Sequence, residues 1–344
     1  MEVTSELLDH KRNISDFQAD DLINNVVAEG KAGLLYKAAS LPVELLKDHF
    51  SVEDEIGRFL FRVREKPAWL DKHKLQRAAD FYYQYALEIM MLLGAVSLPT
   101  CYAATPGNKV LYLSEKIRKN TGKRLLETAS FVILVTGKDA FKAEGPGYIA
   151  VQQVRLIHAL ARYHILNSGQ WDASWGFPAN EEDMIGTNLA FSYTVLKALR
   201  DSGFPLNEED LEAYLHLWKW VGYLMGIEDS LLTDRMEAAG KLDQLIRERH
   251  FRKNREGELL TRSLIDHFRE ALPKGLGFFV ESQIRFLVGQ DVGDMLGLKY
   301  SRLDHLMVKS VSCFMKFYNH IVPHKSTFDK MMQDHKRLKK MYLS

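Results

Sequence analysis

The pattern of apolar and polar positions along the chain predicts helices almost everywhere. Apolar residues recur at three- and four-residue spacing, and no sustained alternation of apolar and polar residues indicates a β-strand. The sequence has no internal repeat of about 20–50 residues and no Pro- or Ser-rich linker. We therefore predict an all-α fold, with residues 1–344 forming a single globular multi-helix domain whose helices pack around an interior site. Its last part, residues 301–344, is predicted to be a basic helical extension.

The same spacing sets the expected bounds of the individual helices. The predicted helices cover residues 17–29, 33–49, 51–64, 72–95, 123–136, 151–166, 181–202, 211–226, 230–251, 257–270 and 302–344, with closely packed or broken helices over 275–298. Ser51 and Asn207 are the expected N-caps of two of them. Loops are expected over residues 98–108, 142–147 and 171–180, where Pro, Gly and small polar residues cluster.

One helix carries an unusual set of polar side chains. Arg155, His158 and Arg162 lie at positions i, i+3 and i+7, so they project from one side of the helix over 151–166. Two arginines need anions, and their positive charges keep a histidine between them neutral. A neutral imidazole is a metal ligand, and haem b would supply an iron for the imidazole and two carboxylates for the arginines. Spacing alone also allows a simpler interpretation, in which the arginines are exposed and His158 is an ordinary core residue.

A second polar group is predicted on the helix over residues 123–136. Arg124, Glu127 and Thr128 lie at i, i+3 and i+4 and therefore share one face. Taken alone, this face is typical of a solvent-exposed pair in which Arg124 binds a neighbour for a few tenths of a kcal/mol.

Together the two helices resemble a known family. The chain is similar to the bacterial latex clearing proteins and to the related fungal oxygenase that shortens the farnesyl chain in mycophenolic acid biosynthesis. The matching motifs are Arg-x-x-x-Thr at Arg124 and Thr128, and Arg-x-x-His-x-x-x-Arg at Arg155, His158 and Arg162. Weaker similarity extends over roughly residues 20–300.

The resemblance implies an all-α fold with a b-type haem and His158 as the proximal iron ligand. Arg155 and Arg162 would flank the histidine, bound to haem carboxylates or to buried acids. Arg124, Glu127 and Thr128 would stand on the distal side, where dioxygen and substrate meet. The chain departs from the latex clearing proteins at Glu127, where that family has a lysine. An acid buried there should have a raised pKa and could relay a proton, which puts rubber itself in doubt as the substrate.

The expected activity is therefore haem-dependent oxygenation or oxidative cleavage of a double bond in an apolar, isoprenoid or lipid-like small molecule, with dioxygen as the second substrate. Three alternatives stay open at this point. They are a haem carrier or sensor without turnover, a haem-free helical protein that binds a lipid, and a non-haem iron or zinc site built from His158, His164, His216 and acids.

Composition limits the partners and cellular locations that we expect for the protein. The 46 basic and 45 acidic residues balance, which argues against nucleic acid as the main partner. Two isolated cysteines exclude a disulfide framework and a cysteine-based zinc cluster. The polar first thirty residues lack the pattern of a signal peptide, and the most apolar stretch, 89–104, is interrupted by Gly and Pro and too short for a transmembrane helix. We expect a cytoplasmic protein without a transmembrane segment, for which peripheral contact with a membrane remains open.

Overall fold

The structure is a computed structural model that describes residues 3–62, 64–114, 121–272, 277–321 and 325–343. Within these ranges the regular structure is helical and no β-strand is formed, as predicted. The α-helices are α1 (Ser5–Lys11), α2 (Phe17–Ala28), α3 (Ala32–Ser40), α4 (Leu46–His49), α5 (Glu55–Leu60), α6 (Lys72–Leu92), α7 (Leu98–Ala103), α8 (Asn108–Leu113), α9 (Thr121–Thr136), α10 (Pro146–Asn167), α11 (Glu181–Phe191), α12 (Tyr193–Asp201), α13 (Glu208–Leu224), α14 (Met236–His250), α15 (Arg255–Ala271), α16 (Phe278–Val288), α17 (Gln290–Met295), α18 (Arg302–Ile321) and α19 (Phe328–Leu343).

The helices that carry the two polar groups are confirmed. Helix α9 ends at the predicted Thr136, and α10 ends at Asn167 after starting earlier than predicted, with Pro146 in its first turn. A proline is favourable there because its missing N–H would have no partner in any case and its fixed φ suits a helix. The cap of α13 is also confirmed, since the Asn207 side chain accepts a hydrogen bond from the N–H of Asp210.

Other predicted bounds were wrong. The helix predicted over 33–49 is interrupted at Pro42, which leaves α3, a short 3-10 turn (Val43–Leu45) and α4. The helix predicted over 51–64 is only α5, and its cap is Asp54, whose carboxylate accepts from the N–H of Gly57, instead of Ser51. The single helix predicted over 181–202 breaks at Ser192 into α11 and α12.

The loop predicted to begin at residue 98 is helical in its first part. Helix α6 continues through a π-helical turn (Leu93–Ser97) directly into α7, so the chain is helical from Lys72 to Ala103. Pro99 lies in the first turn of α7, and the wider π-turn before it accommodates the missing backbone donor. The hydroxyl of Ser97 donates to the carbonyl of Ala190 at 2.6 Å, which ties this turn to α11.

The length of this continuous helix bears on the membrane question. The run Lys72–Ala103 spans 32 residues and is long and apolar enough to cross a bilayer by length and composition alone, so the expectation that it is too short was wrong. However, 56% of its most apolar window is buried within the fold. Packing against α13 and α19 accounts for its apolar character. Peripheral membrane contact and a cytoplasmic location stay predictions.

The core lies where α2, α6, α10 and α13 pack together. Its largest fully buried side chains include Trp220 and Tyr214 on α13 and Tyr82 on α6. A second apolar cluster joins α7, α15, α16 and α17, and α16 is separated from α17 at Gly289, whose φ of +88° favours glycine. This break agrees with the broken helices predicted over 275–298. Helix α10 is the element that places the candidate site, because it contacts α2, α9 and α13.

Candidate functional site: a neutral histidine among buried arginines

The two arginines of α10 are buried, with 5% of Arg155 and 2% of Arg162 exposed. This excludes the simpler interpretation in which both arginines extend into solvent. A guanidinium cannot lose its proton in a protein, so each buried arginine needs an acceptor or an anion. The structure supplies these anions from α2.

Arg155 forms a two-point ion pair with Asp16, the N-cap residue of α2. Its Nε and Nη2 donate to the two carboxylate oxygens at 2.7 and 2.9 Å. Burial would raise the pKa of Asp16, but the hydrogen bond and charge of Arg155 outweigh it and hold the pKa below its ordinary value. The third donor of Arg155, Nη1, binds Gln152 at 2.8 Å. Arg155 therefore fixes the start of α2 against α10.

Arg162 is held in the same way one turn further along α2. Its Nε donates to Asp20 at 2.8 Å, and Nη1 donates to the carbonyl of Ala179 at 3.1 Å. Its Nη2 is buried and has no hydrogen-bond partner among the described residues. A buried donor without a partner costs about 1–3 kcal/mol, so this atom is available to an acceptor that enters the site.

His158 lies between the two arginines and faces a cavity of about 220 Å³. Burial, reinforced by the charges of Arg162 and Arg124, lowers the pKa of His158 to about 3. The imidazole is therefore neutral at any physiological pH, as predicted from the sequence, and one of its nitrogens has a lone pair free to bind a metal. The side chain is only partly exposed and is turned into the protein instead of toward bulk water.

The cavity has a charged side and an apolar side. Its charged side includes Asp16, Arg155, Arg162 and Arg64, which comes from the segment between α5 and α6. The apolar side is formed by the side chains of Ile14, Phe17, Met184, Met225 and Ile227. A pocket with mostly apolar walls and a few converging polar groups is typical of a small-molecule site.

Helix α9 packs beside α10 but does not bring its polar group into this cavity. Arg124 is close enough for its charge to act on His158, yet it pairs with Glu127 at 3.6 Å. The Thr128 hydroxyl donates to the carbonyl of Arg124 at 3.0 Å. The side chain of Glu127 is 37% exposed, so the expectation of a buried acid was wrong. The distal role of these three residues stays a prediction.

The structure does not bring together the three histidines of the non-haem alternative. His164 is exposed and bonded to Tyr36 at 2.7 Å, while His216 is bonded at 3.0 Å to Asp234 and to the N–H of Asp71. Among the residues that the structure describes, no group of three His, Cys, Asp or Glu side chains is placed to hold a metal ion. The described residues therefore do not form the proposed non-haem site.

Three residues of the site were missed at the level of sequence. Asp16 and Asp20 lie four positions apart at the start of α2, whereas their partners Arg155 and Arg162 lie seven positions apart on α10. The two spacings differ, and nothing in the sequence indicated which helix would pack against α10. Arg64 gave no signal, because it lies at the end of the helix predicted over 51–64, where nothing distinguished it from a surface arginine.

The residues present fit a haem in chemistry. A neutral His158 offers a nitrogen to the iron, and the unpaired Nη2 of Arg162 offers a donor to a carboxylate. The cavity is smaller than the roughly 300–1,000 Å³ of typical ligand pockets. A flat macrocycle would therefore require its walls to move apart, and Met184 and Met225 are among the most adaptable side chains for this.

Comparison with known proteins identifies the family of the chain. Residues 76–319 match the family described as ER-bound oxygenase mpaB/B'/Rubber oxygenase, catalytic domain, and the chain belongs to that family of oxygenases. It is 26% identical over 274 residues to the rubber oxygenase of Streptomyces sp. (strain K30), a match that covers 78% of this chain and 67% of that protein. Its fold is similar to the structure of latex clearing protein in the closed state, with a TM-score of 0.74, 21% identity and coverage of 97% of this chain and 91% of the other. The family resemblance and the all-α fold expected from the sequence are confirmed.

Proposed function

We propose that this protein is a haem b-dependent oxygenase that acts on a double bond of an apolar, isoprenoid or lipid-like small molecule. The observation that carries the proposal is the neutral imidazole of His158, which faces a largely apolar cavity between two buried arginines. The family contributes the reaction class, and the rubber oxygenase relative suggests an isoprenoid substrate.

His158 would be the iron ligand, and the two arginines would act by positioning it. Arg155 and Arg162 are anchored to α2 through Asp16 and Asp20, so α10 cannot rotate without breaking buried ion pairs. Burial and the charge of Arg162 also keep the proton off the imidazole, which preserves the lone pair that a metal needs. Bound haem would supply the iron chemistry that activates dioxygen and oxidises the double bond.

The apolar wall of the cavity would bind the hydrocarbon chain and exclude water. Met184, Met225 and Ile227 offer it no hydrogen bond, so the wall selects for apolar groups.

The residues of α9 would complete the site from the distal side. Arg124 would orient a polar group of the substrate, and the Thr128 hydroxyl, which now donates to the Arg124 carbonyl, would be available to donate to a polar atom of a bound molecule. Glu127, which is half-exposed and paired with Arg124, would carry a proton between the site and solvent.

The test is the absorption spectrum of the purified full-length chain after expression with haem supplied. We expect an intense haem band with one haem per chain, and we expect His158→Ala to remove it. His164→Ala is the matched control, because that histidine lies on the same helix but is exposed and bonded to Tyr36. A colourless wild-type protein, or a His158→Ala variant that keeps all its haem, would falsify the proposal.

Turnover is tested separately from haem binding. The haem-loaded protein should consume dioxygen when supplied with an apolar alkene such as squalene, and the product should carry new oxygen at a former double bond. Haem binding with no oxygen consumption across isoprenoid and fatty alkenes would instead indicate a carrier or sensor.

A further inference from the structure

The three arginines that line the cavity do not have equivalent partners. Arg155 is paired with Asp16 and Arg162 with Asp20, both at 2.8 Å or less between the closest atoms. Arg64 has no carboxylate partner among the described residues. It donates a hydrogen bond to the carbonyl of Tyr223 and lies over the Tyr223 ring, with 4.5 Å between the guanidinium carbon and the ring centre.

The charge balance of the cavity follows from these pairs. The remaining acid of the lining, Glu181, is engaged by Lys11 at 3.1 Å, and Lys11 also pairs with Glu228 outside the lining. Among the three arginines of the lining, Arg64 is therefore the one without a carboxylate partner in the described part of the chain. Half-buried in this position, Arg64 has a pKa below its ordinary value, mainly because of burial, although an arginine stays charged at any physiological pH.

A second, independent observation indicates the same kind of ligand. Arg162 lines the same cavity, and its Nη2 is buried and has no acceptor among the described residues. An unpaired N–H donor and a nearby arginine without a carboxylate partner are together complementary to an anion with more than one acceptor oxygen.

We propose that Arg64 and the free Nη2 of Arg162 form a carboxylate-binding subsite in the His158 cavity. The carboxylate belongs to a ligand whose remainder is apolar, because methionine and isoleucine side chains form much of the rest of the lining. Two sources have this chemistry: a carboxylate-terminated unsaturated chain as substrate, or a carboxylate of haem b itself. Only the second source, a haem carboxylate, rests on the proposed function.

Two pairs of probes distinguish the sources. The first pair is oleate and oleyl alcohol, which share a chain but differ in charge. The second is haem b and its dimethyl ester, in which the carboxylates are blocked. The affinity of the full-length protein for each probe is measured by fluorescence quenching or absorption titration, for wild type and for Arg64→Gln, Arg64→Lys and Arg58→Gln. Arg58 is the matched control, since it is an exposed arginine on the neighbouring α5 outside the cavity.

Loss of a charge-assisted hydrogen bond lowers affinity by roughly ten- to a hundredfold. If the substrate supplies the carboxylate, Arg64→Gln lowers the affinity for oleate by this factor and leaves the affinities for oleyl alcohol, haem b and the ester unchanged. If haem supplies the carboxylate, Arg64→Gln lowers the affinity for haem b and leaves the affinity for the ester unchanged. In either case Arg64→Lys restores part of the affinity and Arg58→Gln matches wild type.

The subsite is refuted if Arg64→Gln changes neither the difference in affinity between oleate and oleyl alcohol nor the difference in affinity between haem b and its dimethyl ester. A wild-type protein that binds no haem at all refutes the haem oxygenase, yet the oleate pair still tests Arg64 on its own. Circular dichroism of each variant checks that it is folded before its affinity is interpreted.

Discussion

The ion pair between Asp16 and Arg155 gives the sharpest prediction about what holds the site together. Asp16 has two roles, since it binds Arg155 through both oxygens and caps α2 by accepting from the N–H of Ala19 at 3.3 Å. Asp16→Asn removes the charge and keeps the cap, because asparagine is an equally good N-cap residue. Asp16→Ala removes both. The two variants therefore separate the ion pair from the cap.

The expected magnitudes follow from burial. Arg155 is 5% exposed and the Asp16 side chain 15%, so removing the charge leaves a cation almost without solvent. Breaking a buried pair in this way costs about 3–5 kcal/mol, and we expect Asp16→Asn to fall near 3 kcal/mol because the amide oxygen still accepts one bond. Asp16→Ala should cost about 1 kcal/mol more through loss of the cap.

The measurement is urea unfolding at pH 7 monitored by circular dichroism, with midpoints compared at a shared slope. Asp201→Asn is the control, since it breaks an exposed pair with Lys197 and should change stability by less than about 0.5 kcal/mol. The reasoning would be refuted by an Asp16→Asn variant as stable as this control. The pH dependence gives a second check. Because the pKa of Asp16 is lowered in the folded state, its contribution is present above the unfolded value near 4 and is lost as pH falls through the folded value.

Three further predictions concern other parts of the chain. The folded pKa of His158, about 3, lies below its unfolded value of roughly 6.5, so between these values the unfolded chain binds one more proton than the folded chain. The free energy of unfolding of the haem-free protein should therefore fall by up to about 1.4 kcal/mol for each unit by which the pH is lowered within this window. His158→Gln should remove this pH dependence in urea unfolding measured from pH 7 to 4. Glu182 is fully buried and accepts from Arg249 at 2.7 Å, so Glu182→Gln should destabilise by about 3 kcal/mol, whereas Glu209→Gln in an exposed pair should not; equal midpoints would contradict this. Thr128→Val removes a hydroxyl that bonds only within its own helix, so stability should change by less than about 1 kcal/mol while dioxygen consumption falls; unchanged consumption would remove Thr128 from the distal site.

The sequence alone was enough to predict that the chain is helical and that α10 carries Arg155, His158 and Arg162 on one side. Period and capping residues predicted α9, α10 and α13 closely, because those helices are amphipathic and have clear stop or start residues. The sequence predicted a neutral His158 from two arginines at helical spacing, but the largest cause of its low pKa is burial, reinforced by Arg162 and by Arg124 on the neighbouring helix α9.

Local rules failed where packing overrides them. Pro99, Pro106 and Gly107 predict a loop over 98–108, but its first part stays helical up to Ala103 through a π-turn, because its side chains pack between neighbouring helices. Glu127 was expected inside and is half-exposed, because the orientation of α9 about its own axis is set by its contacts with α10 and α19.

Only the tertiary structure decided which anions meet the arginines. Asp16 and Asp20 are about 140 positions away from their partners along the chain, and no local pattern specifies which helix will lie against α10. The same holds for Arg64, which reaches the cavity from an irregular segment. Helix formation depends on residues within one or two turns of each other, whereas the partner of a buried charge is set by which distant segments the whole fold packs against it. For this reason α10 could be predicted from the sequence, but the residues around it in the site could not.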